Sequence, residues 1–405
     1  MNRDTIQRLI KEHGVAGFGQ VFRTALNGEK LPNGAVVKLD RNDLSFKELW
    51  EATVGSVRET FDNPMWNREA GALDPTGFPT ATENILSTEM IAGYTNQGGV
   101  ADILVPNTRR PRTPTERIQG LTSMDTSKSI VTGEEYPTVS FGEKFVTFEE
   151  AIHQRKEGYE IQVTEEVIRW DQTGNILDAA RQIGDSLATE KERRTIRAIH
   201  GIGADSGTTQ YGVYFPSGTS AALYTAAQLN LRTNATPIVG SDSVLADYTD
   251  LDEVNQVHSS NITDDRQIGA PRPIVWTPDT ILVPPRLAVR AGNILASVGV
   301  QYITDTTSNI APQIRNNVPN PLSLIYRNGM PTVIPSIYSG EISNTAWIVY
   351  DRNKTFLRIE VFPFQTFRAP VGYGWNRDVV FAMRAREWSR VIAKDFRHAI
   401  KSDGA

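Results

Sequence analysis

The side chains able to do chemistry are few and scattered. Five histidines, His13, His153, His200, His258 and His398, stand apart, with no HExxH pair or similar ligand spacing. Each reads better as a surface or satisfied structural histidine than as a base or ligand. The chain has no cysteine, which excludes disulfides and thiolate metal sites and fits a reducing cytoplasm. No Gly-x-Ser-x-Gly elbow and no GxxxxGK[ST] phosphate loop occurs. Gly14, Gly17 and Gly19 in GVAGFGQ do not follow a strand, so they make a poor dinucleotide loop. Asp247, Asp250, Asp252 and Glu253 offer the hard oxygens that calcium or magnesium prefer, but without EF-hand spacing. A solvated loop explains them better, and Asp264-Asp265 reads the same way. The expectation is no catalytic, cofactor-binding or metal-binding residue and no cofactor.

One basic cluster remains. Arg109, Arg110, Arg112 and Arg117 are interrupted by Pro106, Pro111 and Pro114, which keep the segment extended. An arm gripping acidic surfaces of a neighbouring protein is preferred over a solvated loop. Nucleic acid comes last, because stacking aromatics are missing. A formal charge of −5 also lacks the basic excess of a dedicated nucleic-acid binder.

The elements that would position these groups are more telling. YPTVSFGEKFVTFEEAIHQRKEGYEIQVTEE is an alternating, β-like arm, with Tyr159, Ile161 and Val163 on one face. It has too little apolar surface to bury itself and is expected to lie against another molecule. It leads into a helix over 174–200, roughly 40 Å long at about 1.5 Å per residue. Ile176, Ala180, Ile183 and Leu187 stripe its first half. In the second half Glu190 meets Arg193 and Arg194 at helical spacing, and Glu192 lies four before Ile196. That half reads as a self-neutralised strut crossing a surface, packed through Ile196 and Ile199.

Elsewhere the pattern places helices at 3–12, 44–61 and 84–94, with Asp43 as an N-cap, Asn63-Pro64 as a stop and 74–83 as a boundary loop. IVWTPDTILVPP reads as two strands and a turn, followed by a helix over 286–296. NPLSLIYRNGMPTVIPS reads as strands around an Asn328-Gly329 turn, and TAWIVYDRN as another strand. TFLRIEVFPFQTF and VVFAMRAREWSRVIA are strands, the latter with one wet face carrying Arg384, Arg386 and Arg390. The class is α+β. At 405 residues there is room for two or three domains. No run of about 18 apolar residues suggests a membrane helix, and the polar N-terminus lacks a signal-peptide core.

In collinear order, FPTATENILSTEMIAGYTN, the GEEYPTVSFGEKF arm with its long helix, the NPLSLIYRNGMPTVIPS and TAWIVYDRN strands and VVFAMRAREWSRVIAKDFRHAIKSDG resemble the major capsid proteins of tailed bacteriophages, of the Hong-Kong-97-type fold. The resemblance covers residues 78–405. It implies an N-terminal extension over 1–77, an N-terminal arm over 78–120 and an extended loop over 121–163. A peripheral domain with a spine helix would occupy 164–202, an axial domain 203–348, a second peripheral β segment 349–390 and a returning strand 391–405. Copies would form hexamers and pentamers of an icosahedral head around double-stranded DNA held without sequence specificity. They would assemble in the host bacterial cytoplasm with portal, scaffold or decoration proteins and no membrane. Some relatives join a loop lysine to a peripheral-domain asparagine. Lys144 and Asn376 are in matching places, but no glutamate opens the late strand and Glu387 comes late, so no cross-link is expected. Some relatives also lose an N-terminal scaffolding segment; here the aromatic helix near Trp50 favours a retained, folded extension. Two other readings stay open: an encapsulin-like compartment enclosing enzymes, and an unrecognised hydrolase or binding enzyme with its site in the Asp-rich loop of residues 242–265.

Overall fold

How closely other chain segments approach the long helix is set by two glycines. In the computed structural model this helix spans Thr173–Ile199 and is crossed by the helix Gly77–Asn96. A Cβ on Gly184 would overlap the Met90 carbonyl oxygen and lie 2.8 Å from Tyr94 N, and one on Gly93 would overlap the Arg181 carbonyl oxygen. Backbone therefore packs on backbone at this crossing. The structure describes residues 12, 21, 24, 45–62, 77–112, 117–119, 146–148, 156–203, 211–214, 220–226, 229–233, 243–261, 274, 276–296, 299–303, 313–318, 320, 322–326, 329–370 and 378–404.

The chain divides into two units. The first comprises residues 1–99, 156–190 and 362–388. Its core joins Phe46, Leu49 and Trp50, Phe78, Leu86 and Met90, Ile161 and Val163, Leu177, Ala180 and Leu187, and Phe381 and Met383. The strand Glu157–Thr164 pairs antiparallel with the strand Val379–Ala393, placing Val163 beside Phe381 and Ile161 beside Met383. The strand Phe356–Arg368 is the latter's other neighbour. Ile161 and Val163 are buried but Tyr159 is 54% exposed, so the end of the expected free arm belongs to this unit's own sheet. Most of the arm lies outside the described residues.

The first unit's N-terminal part differs from the sequence expectation. The helix expected over 44–61 is two, Phe46–Thr53 and Val57–Asp62, parted at Gly55 with φ +128°. Ser45, not Asp43, is the cap: its Oγ accepts from Glu48 N at 3.1 Å and donates to Asp171 Oδ2 at 2.8 Å. Asp171 sits at φ +50° and also accepts from Thr173 Oγ1 at 2.8 Å, while Phe46 N donates to Thr173 Oγ1 at 2.7 Å. This clamp ties the N-terminal helix to the turn ahead of the long helix. The boundary loop expected over 74–83 is helical from Gly77, because Pro79 falls in the first turn, where its missing N–H costs nothing.

The second unit comprises residues 100–155, 191–361 and 389–405. Its five-stranded sheet runs Thr332–Pro335, Thr280–Val283, Trp347–Tyr350, Ala399–Ser402 and Leu231–Arg232. The first pair and the last are parallel and the middle two antiparallel. Leu282, Ile348 and Tyr350 pack on one side with Ile196, Ile199 and Phe356. Ile281, Val283, Trp347 and Val349 pack on the other with the helices Tyr248–Asn261 and Pro285–Ala296. Covered on both faces, these strands read as continuous apolar runs.

Three expectations change here. Among the described residues of IVWTPDTILVPP only Thr280–Val283 is a strand. Leu322–Ile325 is a short helix, and among the described residues of that segment the strand is Thr332–Pro335. The end of the long helix does not cross a surface: Thr195, Ile196, Ile199 and His200 are all buried. Its charged run reaches outward along the unit, with Lys191 Nζ 3.1 Å from Asp102 Oδ1 and Arg193 Nε 3.0 Å from Glu341 Oε2.

Candidate assembly surface

In the first unit the strand Val379–Ala393 turns alternate residues to opposite sides. Phe381, Met383, Ala385 and Glu387 face the helices and are buried. Tyr94 OH donates to Glu387 Oε2 at 3.0 Å, and the Tyr94 ring stacks on Phe364 with centroids 4.4 Å apart. Arg384, Arg386 and Trp388 face away from the helices. Arg386 lies between two rings, 4.5 Å from Phe362 and 4.3 Å from Phe367. Arg384 lies 5.9 Å from Phe367 and Lys156 Nζ 5.0 Å from Trp388, whose ring meets Phe362 edge-on at 5.7 Å. Arg386 Nε is shut off from water with no hydrogen-bond partner. This face is an array of cations held by aromatic rings.

That this strand has one wet face is legible in its mixture of arginines with apolar residues. The aromatic half of that face is not, because Phe362 and Phe367 come from another strand and the pairing is not written in local spacing.

The acidic group is not a loop. Asp250, Asp252 and Glu253 lie on the helix Tyr248–Asn261. Asp250 Oδ2 accepts from Ala246 N at 2.6 Å and Asp247 N at 2.9 Å, and its Oδ1 is 3.5 Å from Arg232 Nη2. Arg232, itself buried, also pairs with Glu253. Asp252 accepts from Gln256 Nε2 at 2.8 Å. Helix capping and a buried arginine thus take up these carboxylates. Beside them Asp247, Tyr248, Arg286, Val289, Arg290 and Asn293 help line an open groove of about 520 Å³.

Three histidines are described, all in the second unit and all buried. Burial, with Lys401 adding to it, pushes His200 down to about 3, and its Nε2 lies 2.8 Å from Ser339 Oγ. Burial likewise pushes His258 down to about 4, although its Nε2 meets the Arg397 carbonyl at 2.9 Å. His398 is lowered by burial too. Bases this weak stay neutral at pH 7 and are poor proton acceptors for catalysis. His13, His153, the Gly14–Gly19 stretch, Asp264, Asp265, Lys144 and Asn376 lie outside the described residues. Arg109, Arg110 and Arg112 are exposed, and Thr108–Arg109 pairs parallel with Arg358 and Ile359. For Arg117 only the backbone, in the strand Arg117–Gln119, is described.

Residues 149–402 match the phage capsid protein family, and the chain belongs to that family. It is a capsid shell protein of bacteriophage type, as the resemblance in its sequence implied, with a structural role in the virion. No curated protein matches the chain. Among solved structures, one from Mycobacterium phage Bobi is 16% identical, covering 73% of this chain and 84% of its own, with a TM-score of 0.39. One from Mycobacterium phage Che8 is 11% identical, covering 75% and 90%, with a TM-score of 0.39. A virus-like particle from Pyrococcus furiosus is 11% identical, covering 78% and 96%, with a TM-score of 0.38.

Proposed function

We propose that this chain is the major head protein of a tailed bacteriophage, built in the Hong-Kong-97 manner. Copies assemble into hexamers and pentamers of an icosahedral shell around double-stranded DNA. The observation that carries this is the family match over 149–402, which includes residues of both structural units. A closed shell from one chain needs contacts between different patches of neighbouring copies, arranged to curve and close. The segment over 121–156 serves as the inter-subunit loop, and Thr173–Ile199 as the spine. Assembly takes place in the host cytoplasm with portal, scaffold or decoration proteins. The N-terminal extension is retained, in keeping with Phe46, Leu49 and Trp50 lying in the first unit's core.

Negative-stain microscopy of the purified chain tests this reading: closed shells or ring capsomers are expected, and discrete monomers at all concentrations would overturn it. Particles enclosing a cargo enzyme and no DNA would point to a compartment shell. Deleting residues 138–156 is expected to leave a soluble subunit that closes no shells.

A further inference from the structure

The first unit gathers cations on its sheet side, where exposed Glu160 is the cross-strand neighbour of Arg384, and carboxylates on its helix side, where Arg181 lies three residues after Asp178 and four before Asp185. On the sheet side stand Arg384, Arg386 and Lys156, and among the described residues none of the three has a carboxylate partner. On the helix side, Asp171, Asp178 and Asp185 recur every seventh residue and share one exposed strip with Asn175 and Gln182. Asp171 is spent on Ser45 and Thr173. Asp178 and Asp185 have no cationic partner among the described residues.

We infer that these two sides meet between copies: the Arg384–Arg386–Lys156 face of one subunit seats against the Asp178–Asp185 strip of a second. The inference rests on the shell-forming reading and names one of its contacts. Three observations favour a second copy over packaged DNA. The complementary strip is carried by the same chain, so each copy brings both halves of a heterologous contact, the kind that generates rings. The chain's net charge is −5, which gives its copies ample acid to meet these cations. Arg386 is also fixed between two rings with its Nε enclosed, leaving the outer edge of a planar guanidinium to meet a planar carboxylate. That pre-set orientation suits a fixed partner, whereas sequence-independent phosphate binding needs only point charges.

The test is charge reversal in the full chain. Arg384→Glu with Arg386→Glu is expected to raise the concentration needed for shells by about tenfold or more. Asp178→Lys with Asp185→Lys is expected to do the same. The four changes together restore assembly, because the signs are exchanged rather than lost. Should Arg386→Glu compromise folding, Lys156→Glu with Arg384→Glu tests the same face and leaves the ring sandwich intact. Normal assembly by the paired variants, or failure of the fourfold variant where its parts fold, would overturn the inference. So would variants that close normal shells but retain less DNA, which would assign the cations to the genome. If the unaltered chain forms no shells, the failure lies with the proposed function instead.

Discussion

The two units solve the problem of a sheet's second face in opposite ways. In the second, Thr280–Val283 and Trp347–Tyr350 are buried at every position, with apolar layers on both sides. In the first, Val379–Ala393 buries Phe381, Met383 and Ala385 while Arg384 stands in water. Burial on both faces leaves a strand nothing to offer a partner. Burial on one face leaves a rigid row of side chains at fixed spacing, aimed outward by the pleat. The first sheet can be read by another molecule; the second is for holding itself together.

That contrast can be broken at several points. The largest effect belongs to the doubly covered sheet. Trp347, fully buried with its indole N–H donating to the Ser243 carbonyl at 3.1 Å, should cost about 3–5 kcal/mol on replacement by alanine, measured by denaturant melting. At the helix crossing, Gly184→Ala sets two effects against each other. Helix propensity favours alanine by about 0.5–1 kcal/mol, but overlap with the Met90 carbonyl should reverse the sign, for a net loss of about 1–3 kcal/mol. A stabilised Gly184→Ala protein would mean the helices part without penalty.

Acid should also single out the second unit. His258 faces Trp276, His398, Asp395, Lys354 and the Arg397 carbonyl, and its folded pKa of about 4 lies below the ordinary 6.5. The unfolded chain therefore takes up the proton first. The stability held above pH 6.5 falls as pH drops towards 4, by at most about 1.4 kcal/mol per unit for each such group. His258→Phe should flatten that slope in melts between pH 6.5 and 4.5, and an unchanged slope would exonerate this histidine. The smallest effect belongs to the open face: Arg384→Ala should move folding stability by no more than about 0.5 kcal/mol. A large loss there would mean that the face is core after all.

What was legible in the sequence followed periodicity that local burial enforces. The long helix was expected over 174–200 and is Thr173–Ile199, and VVFAMRAREWSRVIA is a strand throughout. Readings failed where a single residue has two uses. Pro79 has the composition of a loop residue and sits in a helix's first turn; Gly55 lies inside a helical pattern and breaks it. Others failed where distant chain decides. Ile196 and Ile199 pack as expected, against strands some 150 residues further on, but Thr195 and His200 are buried too, which a strut crossing a surface would not show. The charged face was half visible for the same reason, its arginines local and its rings remote.

The core of the first unit joins segments made far apart in time during synthesis. Phe46, Leu49 and Trp50 leave the ribosome early, yet the strand carrying Phe381 and Met383 that completes their core is made almost last. At roughly 5–20 residues per second, that apolar helix waits for tens of seconds. The nascent chain therefore carries this unfinished apolar surface from early in translation. Its yield should depend on what shields that helix meanwhile.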